Sequence, residues 1–90
     1  MEFYTMIKNI DLYSDMGCGI SSYHTPTLEE ILKLKDKLIE EDEVEFFEEC
    51  EVEVDFEECY SFQEFDYIYR LRDTESCVGY ITYYIKKVVL

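Results

Sequence analysis

The sequence predicts an α+β domain in which a single helix packs on an antiparallel β-sheet of four to five strands, in the order β-α-β-β-β. Two patterns carry this prediction: an apolar stripe at helical spacing over residues 28–39, and strict alternation of apolar and acidic residues over 51–57. Further alternating and apolar segments follow towards the C-terminus. Since there is neither an internal repeat nor a low-complexity linker, we expect residues 1–90 to form one domain.

The first predicted element is a strand over residues 2–13, where apolar and polar side chains partly alternate. Residues 14–26 are predicted to be a loop, because Gly17, Gly19, Ser21, Ser22 and Pro26 interrupt the pattern there. The predicted helix then begins at Thr27, which forms a capping box with Glu30.

The helix is predicted to end near Asp42, after an apolar stripe at a period of 3.6 residues. Lys35 lies inside this stripe and has two interpretations. Its stem packs against the core while its amine reaches the edge, or its amine pairs with a buried acid. We favour the first interpretation. The stripe consists of Leu28, Ile31, Leu32, Leu34, Leu38 and Ile39.

Residues 51–57 give the clearest strand pattern of the chain, since every second residue is acidic and the residues between are apolar. Residues 43–47 are interpreted as a shorter strand before it. One strand from 43 to 57 would be roughly 50 Å long at ~3.3 Å per residue, too long for this domain. We therefore expect a break or bulge near Glu48 and Glu49.

Two more strands are predicted near the C-terminus. Alternation over residues 65–72 indicates one of them, and a turn is expected at 73–76. Residues 78–89 are apolar or aromatic on both faces as far as Ile85, which is typical of a central strand.

The charge of the chain is concentrated in one segment. The chain has 22 acidic and 8 basic residues and a net charge of -14. Between Leu38 and Tyr69 there are fourteen acids and no base, whereas the remaining residues balance at eight acids and eight bases. Apolar residues run through the acidic segment, so we expect it to fold rather than form a disordered tail.

This composition excludes several classes of protein. A strongly acidic surface repels phosphates, so we expect no direct binding to DNA or RNA. No segment approaches the ~20 apolar residues of a membrane span, and the first residues lack the basic start and apolar run of a signal peptide. We therefore expect no membrane association and a location in a host cytoplasm.

Metal binding and catalysis have weak support in the sequence. The four cysteines and His24 lack the closely spaced pairs of zinc sites, and the acidic segment has no glycine of the kind an EF-hand loop needs. Cys18 and His24 are the only candidates for a nucleophile and its base, and no third orienting group accompanies them. We predict no metal, no cofactor and no enzymatic activity.

The cysteines are expected to be free, as in most cytosolic proteins. A bridge between Cys50 and Cys59 across a hairpin is the alternative. The strand predicted for residues 51–57 argues against it.

The acidic segment itself is the candidate binding surface. Carboxylates on one face of a strand repeat every ~6.7 Å and repel each neighbour by ~0.6 kcal/mol even in water. Solubility alone needs a net charge of only about 2–8 in a small domain. An ordered anionic surface of this kind fits a basic groove. The candidate partner-binding residues are Glu43, Glu45, Glu48, Glu49, Glu51, Glu53, Asp55, Glu57, Glu58, Glu64 and Asp66.

With this segment, roughly residues 40–66, the chain resembles the small acidic phage and viral proteins that mimic nucleic acid, such as anti-restriction and anti-CRISPR proteins. The resemblance rests on charge, size and fold type and involves no diagnostic motif. It implies an inhibitor, encoded by a virus or mobile element, that occupies the basic nucleic-acid-binding surface of a host defence nuclease complex. Acidic immunity proteins and antitoxins that cap a basic nuclease toxin are the alternative class.

The aromatic content gives one more expectation. Nine tyrosines and six phenylalanines exceed what the core of a ninety-residue domain readily buries. A homodimer through an exposed sheet face or strand edge is therefore a further prediction.

Overall fold

A computed structural model gives the fold of the chain. It describes residues 1–13, 18–48, 50–58, 65–75 and 78–90, and within this set residues 55–58 are described by their backbone alone. The described residues form five strands and one helix: β1 (Glu2–Leu12), β2 (Cys18–Thr25), α1 (Leu28–Phe47), β3 (Val52–Glu58), β4 (Tyr67–Asp73) and β5 (Gly79–Val89).

The strands form one antiparallel sheet in the order β2-β1-β5-β4-β3, and α1 packs on one face of it. The predicted fold class is therefore confirmed. The order along the chain is β-β-α-β-β-β, which is one strand more than the predicted β-α-β-β-β.

The predicted central position of β5 is confirmed, because this strand lies between β1 and β4. Ile81, Tyr83 and Ile85 point towards α1 and are fully buried. Thr82 alternates with them onto the other face and is only 1% exposed. This burial on both faces explains why residues of β5 are apolar or aromatic in nearly every position.

The helix begins as predicted. The backbone amide of Glu30 donates to the hydroxyl of Thr27 at 3.2 Å, so Thr27 is the N-cap. Ile31 and Leu38 are buried against the sheet. Lys35 follows the favoured interpretation: its stem is largely covered, and its Nζ lies 4.0 Å from the centre of the Tyr69 ring.

Two predictions for local structure are wrong. Residues 18–25, predicted as part of a loop, form the edge strand β2, whose backbone pairs with β1 over eight consecutive residues. Residues 43–47, predicted as a short strand, are the last five residues of α1, which therefore runs past the predicted end at Asp42. The helix continues because Asp42 and Phe47 are both buried against the sheet.

The C-terminal strands lie close to their predicted positions. The pairing of β3 with β4 runs from Val52 opposite Asp73 to Glu58 opposite Tyr67. At the predicted turn, the amide of Thr74 donates to the carbonyl of Glu51 at 2.9 Å. The turn therefore ties the end of β4 to the start of β3.

Candidate functional site

The C-terminal half of α1 carries a group of exposed acids, here called the helix acid group. Its members are all exposed to solvent, and Glu48 is the C-cap of the helix. No residue in the last turn is basic. The helix acid group consists of Glu40, Glu41, Glu43, Glu45 and Glu48.

The helix acid group has few cationic neighbours. Glu41 lies 4.0 Å from Lys37, one turn earlier. Among the residues that the structure describes, no base lies within ion-pair distance of Glu43, Glu45 or Glu48.

The helix that carries this group is held on the sheet by a buried polar network. Asp42 accepts from the Nζ of Lys8 on β1 at 2.9 Å and from the hydroxyl of Tyr83 on β5 at 2.6 Å. Burial raises the pKa of Tyr83 far above its ordinary value, and the bond to Asp42 adds to this shift. Two adjacent inner strands, β1 and β5, thus hold α1, the helix that carries the helix acid group, at Asp42.

The sequence analysis did not predict this network, although the positions of Lys8 and Asp42 in the sequence indicate it. Lys8 falls on the same alternating row of β1 as Met6, which is fully buried. Asp42 falls on the apolar stripe of α1, one helical turn after Leu38. A lone base and a lone acid on two core-facing stripes indicate a buried pair.

An exposed apolar residue lies inside the helix acid group. Val44 is 62% exposed, and Glu40, Glu41 and Glu48 are its neighbours three or four positions away on the helix. Lys37, Glu40, Glu41 and Val44 line a shallow depression there. This arrangement of an apolar centre within a charged rim is typical of protein interfaces.

The predicted acids of β3 have different surroundings. Glu53 forms a 2.7 Å ion pair with Arg72 on β4, and both side chains are nearly half exposed. The backbone register continues with Asp55 opposite Arg70 and Glu57 opposite Ile68, while Glu58 pairs with Tyr67. The acidic positions 53 and 55 thus both have an arginine opposite them.

The remaining predicted site residues are spread between these regions. Glu51 is exposed in the link between α1 and β3. Asp66 precedes β4, and its Oδ2 accepts from the amide of Lys87 at 2.7 Å. Glu49 and Glu64 lie outside the described residues. The structure thus places Glu43, Glu45 and Glu48 on α1 and its C-cap, and the acidic positions 53, 55, 57 and 58 on β3.

The candidate nucleophile and base do not meet. Cys18 and His24 lie six residues apart on the same strand, about 20 Å at ~3.3 Å per residue. Cys18 is exposed, Cys50 is partly buried and both are free. The alternative bridge partner Cys59 lies outside the described residues. Within the described part of the chain, no cluster of three or more potential metal-binding side chains is found.

Comparison with protein-family models, with curated proteins and with solved structures gives no match to this chain. In the described ranges, no helix has the length and hydropathy needed to cross a membrane.

Proposed function

We propose that this protein is an inhibitor, encoded by a virus or mobile element, that binds the basic nucleic-acid-binding surface of a host defence nuclease complex. The observation that carries the proposal is the helix acid group, a set of exposed carboxylates on an element clamped to the sheet through Asp42. In this proposal its carboxylates take the positions that phosphates otherwise occupy beside arginine and lysine.

The density of charge supports nucleic-acid mimicry. Five exposed carboxylates lie between positions 40 and 48, a length of about 12 Å at 1.5 Å per helical residue. This is one charge per roughly 2–3 Å along the helix axis. A single strand of B-DNA carries one charge per ~3.4 Å. The axial density of charge on α1 is therefore comparable to that of a phosphate backbone, with the carboxylates distributed around the exposed part of the helix surface.

The position of the charge on the helix is also unfavourable for the isolated protein. The C-terminal end of a helix carries a partial negative charge, so each acid there costs about 0.3–1 kcal/mol at low ionic strength. Glu43, Glu45 and Glu48 all lie near this end. Cations on a partner would relieve the repulsion, which favours a binding role over a purely solubilising one.

The test is displacement of labelled duplex DNA or guide RNA from a panel of purified defence nucleases, followed by fluorescence anisotropy. Wild type is compared with E43Q/E45Q/E48Q and with the matched control E2Q/E29Q/E75Q, which removes three exposed acids elsewhere. We expect displacement by wild type and control, and about tenfold weaker displacement by the helix variant.

Equal displacement by the two triple variants would contradict a role for the helix acid group. Inhibition of a single basic nuclease toxin, with no effect on any defence nuclease, would instead support the immunity-protein class.

A further inference from the structure

The two edges of the sheet differ in their chemistry. The edge strand β3, Val52–Glu58, has carboxylate residues at four of its seven positions. Charged residues on an edge strand prevent pairing with another chain. The opposite edge strand β2 has the sequence CGISSYHT, with no lysine, arginine, aspartate, glutamate or proline. It therefore lacks the protection that β3 has.

The conformation of β2 is also suited to pairing. Its register with β1 is uninterrupted from Cys18 to Thr25, so no bulge turns the edge away. Five of its eight residues are exposed, and Ile20 is 76% exposed. A regular strand with small or uncharged side chains offers a row of backbone groups to a second strand.

We propose that β2 pairs with β2 of a second copy of this chain, antiparallel and about a twofold axis, to form a continuous ten-stranded sheet. Such a pairing closes on itself, because the same edge is used in both copies. It covers the unprotected edge of each copy and leaves only the acidic β3 at the two ends of the assembly. This inference does not depend on the proposed function.

The distribution of charge allows a second copy to approach at the β2 edge, which carries no charged residue and lies opposite the acidic β3. Two chains of net charge -14 can approach only where their acids stay apart. With strands ~4.8 Å apart, nine spacings place the two β3 strands about 43 Å from each other, well beyond the Debye length of ~8 Å at physiological salt. The twofold axis also runs the two α1 helices antiparallel, which directs their acidic C-terminal ends in opposite directions.

The sequence of β2 allows a close twofold centre. In an antiparallel pair, residues directly opposite each other share a face, so one residue must lie opposite itself. The middle of β2 is formed by Ser21 and Ser22, and either is small enough for this position. With Ser21 at the centre, Ile20 lies opposite Ser22 of the second copy. With Ser22 at the centre, Ile20 lies opposite His24 of the second copy.

The experiment is analytical ultracentrifugation of wild type over a range of concentrations at low and high salt. A monomer has a mass of 10.9 kDa, so we expect a species of twice this mass that forms more readily as salt screens the repulsion. Ile20→Lys places a charge on the β2 edge and is expected to give the monomer. Val54→Lys, at an exposed position on β3, is the matched control and should remain dimeric.

A wild type that remains monomeric at every protein and salt concentration would overturn the proposal. The β2 edge would then be available to pair with a strand of another protein. A dimer unaffected by Ile20→Lys would overturn the proposal as well, as would open-ended assembly.

Hydrogen exchange of the wild type keeps the proposal testable should Ile20→Lys fail to fold. The amides of β2 should become more protected as the protein concentration rises, while those of β3 should not. Concentration-independent exchange throughout β2 would contradict the pairing.

Discussion

The carboxylate of Asp42 lies 2.9 Å from the Nζ of Lys8, and this ion pair joins the helix to the sheet in a site where Asp42 is almost inaccessible to solvent. Tyr83 donates to the second carboxylate oxygen. The three side chains come from α1, β1 and β5, so one network connects the helix with two adjacent inner strands. The same helix carries the helix acid group.

Replacing Asp42 with leucine should destabilise the protein by about 3–5 kcal/mol, because Lys8 is then left buried without its counterion. Urea unfolding followed by circular dichroism measures the change. The double variant Lys8→Met/Asp42→Leu should lose less stability than Asp42→Leu alone, since no unpaired charge remains buried. A single variant within 1 kcal/mol of wild type, or a double variant that is less stable than the single one, would contradict this account.

The stability of the protein should fall as the pH rises above about 10, and Tyr83 should contribute to this fall. Burial raises the pKa of Tyr83 in the folded state, so the unfolded chain loses the phenolic proton first. Above the unfolded pKa, the free energy of unfolding then decreases by up to ~1.4 kcal/mol per pH unit for this group. Below that pH the contribution is fully present.

Urea titrations at several pH values from neutral to alkaline check the role of Tyr83. Tyr83→Phe should be less stable at neutral pH, because the bond to Asp42 is lost, but should show a shallower decline above about pH 10. Tyr13→Phe is the control for the loss of a phenol at an exposed position. Identical slopes in all three proteins would show that Tyr83 does not contribute.

The fold class followed from the sequence because β1, β3 and β5 and the first half of α1 carry periodic apolar residues. The strand β2 lacks such a pattern. Apart from Ile20 and Tyr23 its residues are small or polar, and it is held in the sheet by backbone pairing with β1. The intrinsic β-preferences of side chains do not identify a strand that forms because its backbone pairs with a neighbouring strand.

The structural elements that carry the candidate acids were predicted only in part. The acids were identified from composition, but the alternation of Glu43, Val44 and Glu45 has the same appearance in a strand and in the last turn of a helix. Packing decides between them, since Phe47 is 1% exposed against the sheet. Lys8 and Asp42 are 34 residues apart, so no local pattern joins them.

Gly79 at the start of β5 should tolerate no side chain. Its φ is +129°, and an added Cβ would lie 2.5 Å from the carbonyl oxygen of Asp11 and 2.6 Å from the Cα of Leu12. Both are backbone atoms of the paired strand β1 and cannot move aside, so Gly79→Ala should cost at least about 1–3 kcal/mol.

Gly19→Ala on β2 is the matched control for this change. No atom lies within 4 Å of its added Cβ, so the effect should be small or slightly stabilising. The free energy of unfolding of both variants tests the difference. Equal effects at the two glycines would contradict the steric argument.

Reversing the charge of Glu48 should make the isolated protein more stable. This residue is exposed at the C-cap of α1, where a cation interacts favourably with the helix dipole by about 0.3–1 kcal/mol at low salt. Glu29→Lys, in the first turn, should have the opposite effect, because it places a cation at the positive end of the dipole and removes a 3.2 Å ion pair with Lys33. Thermal unfolding at low and high salt measures both, and the differences should shrink at high salt. If Glu48→Lys lowered the melting temperature, the acids at the C-terminal end would not destabilise the helix. The argument that they are relieved by a cationic partner would then lose its energetic basis.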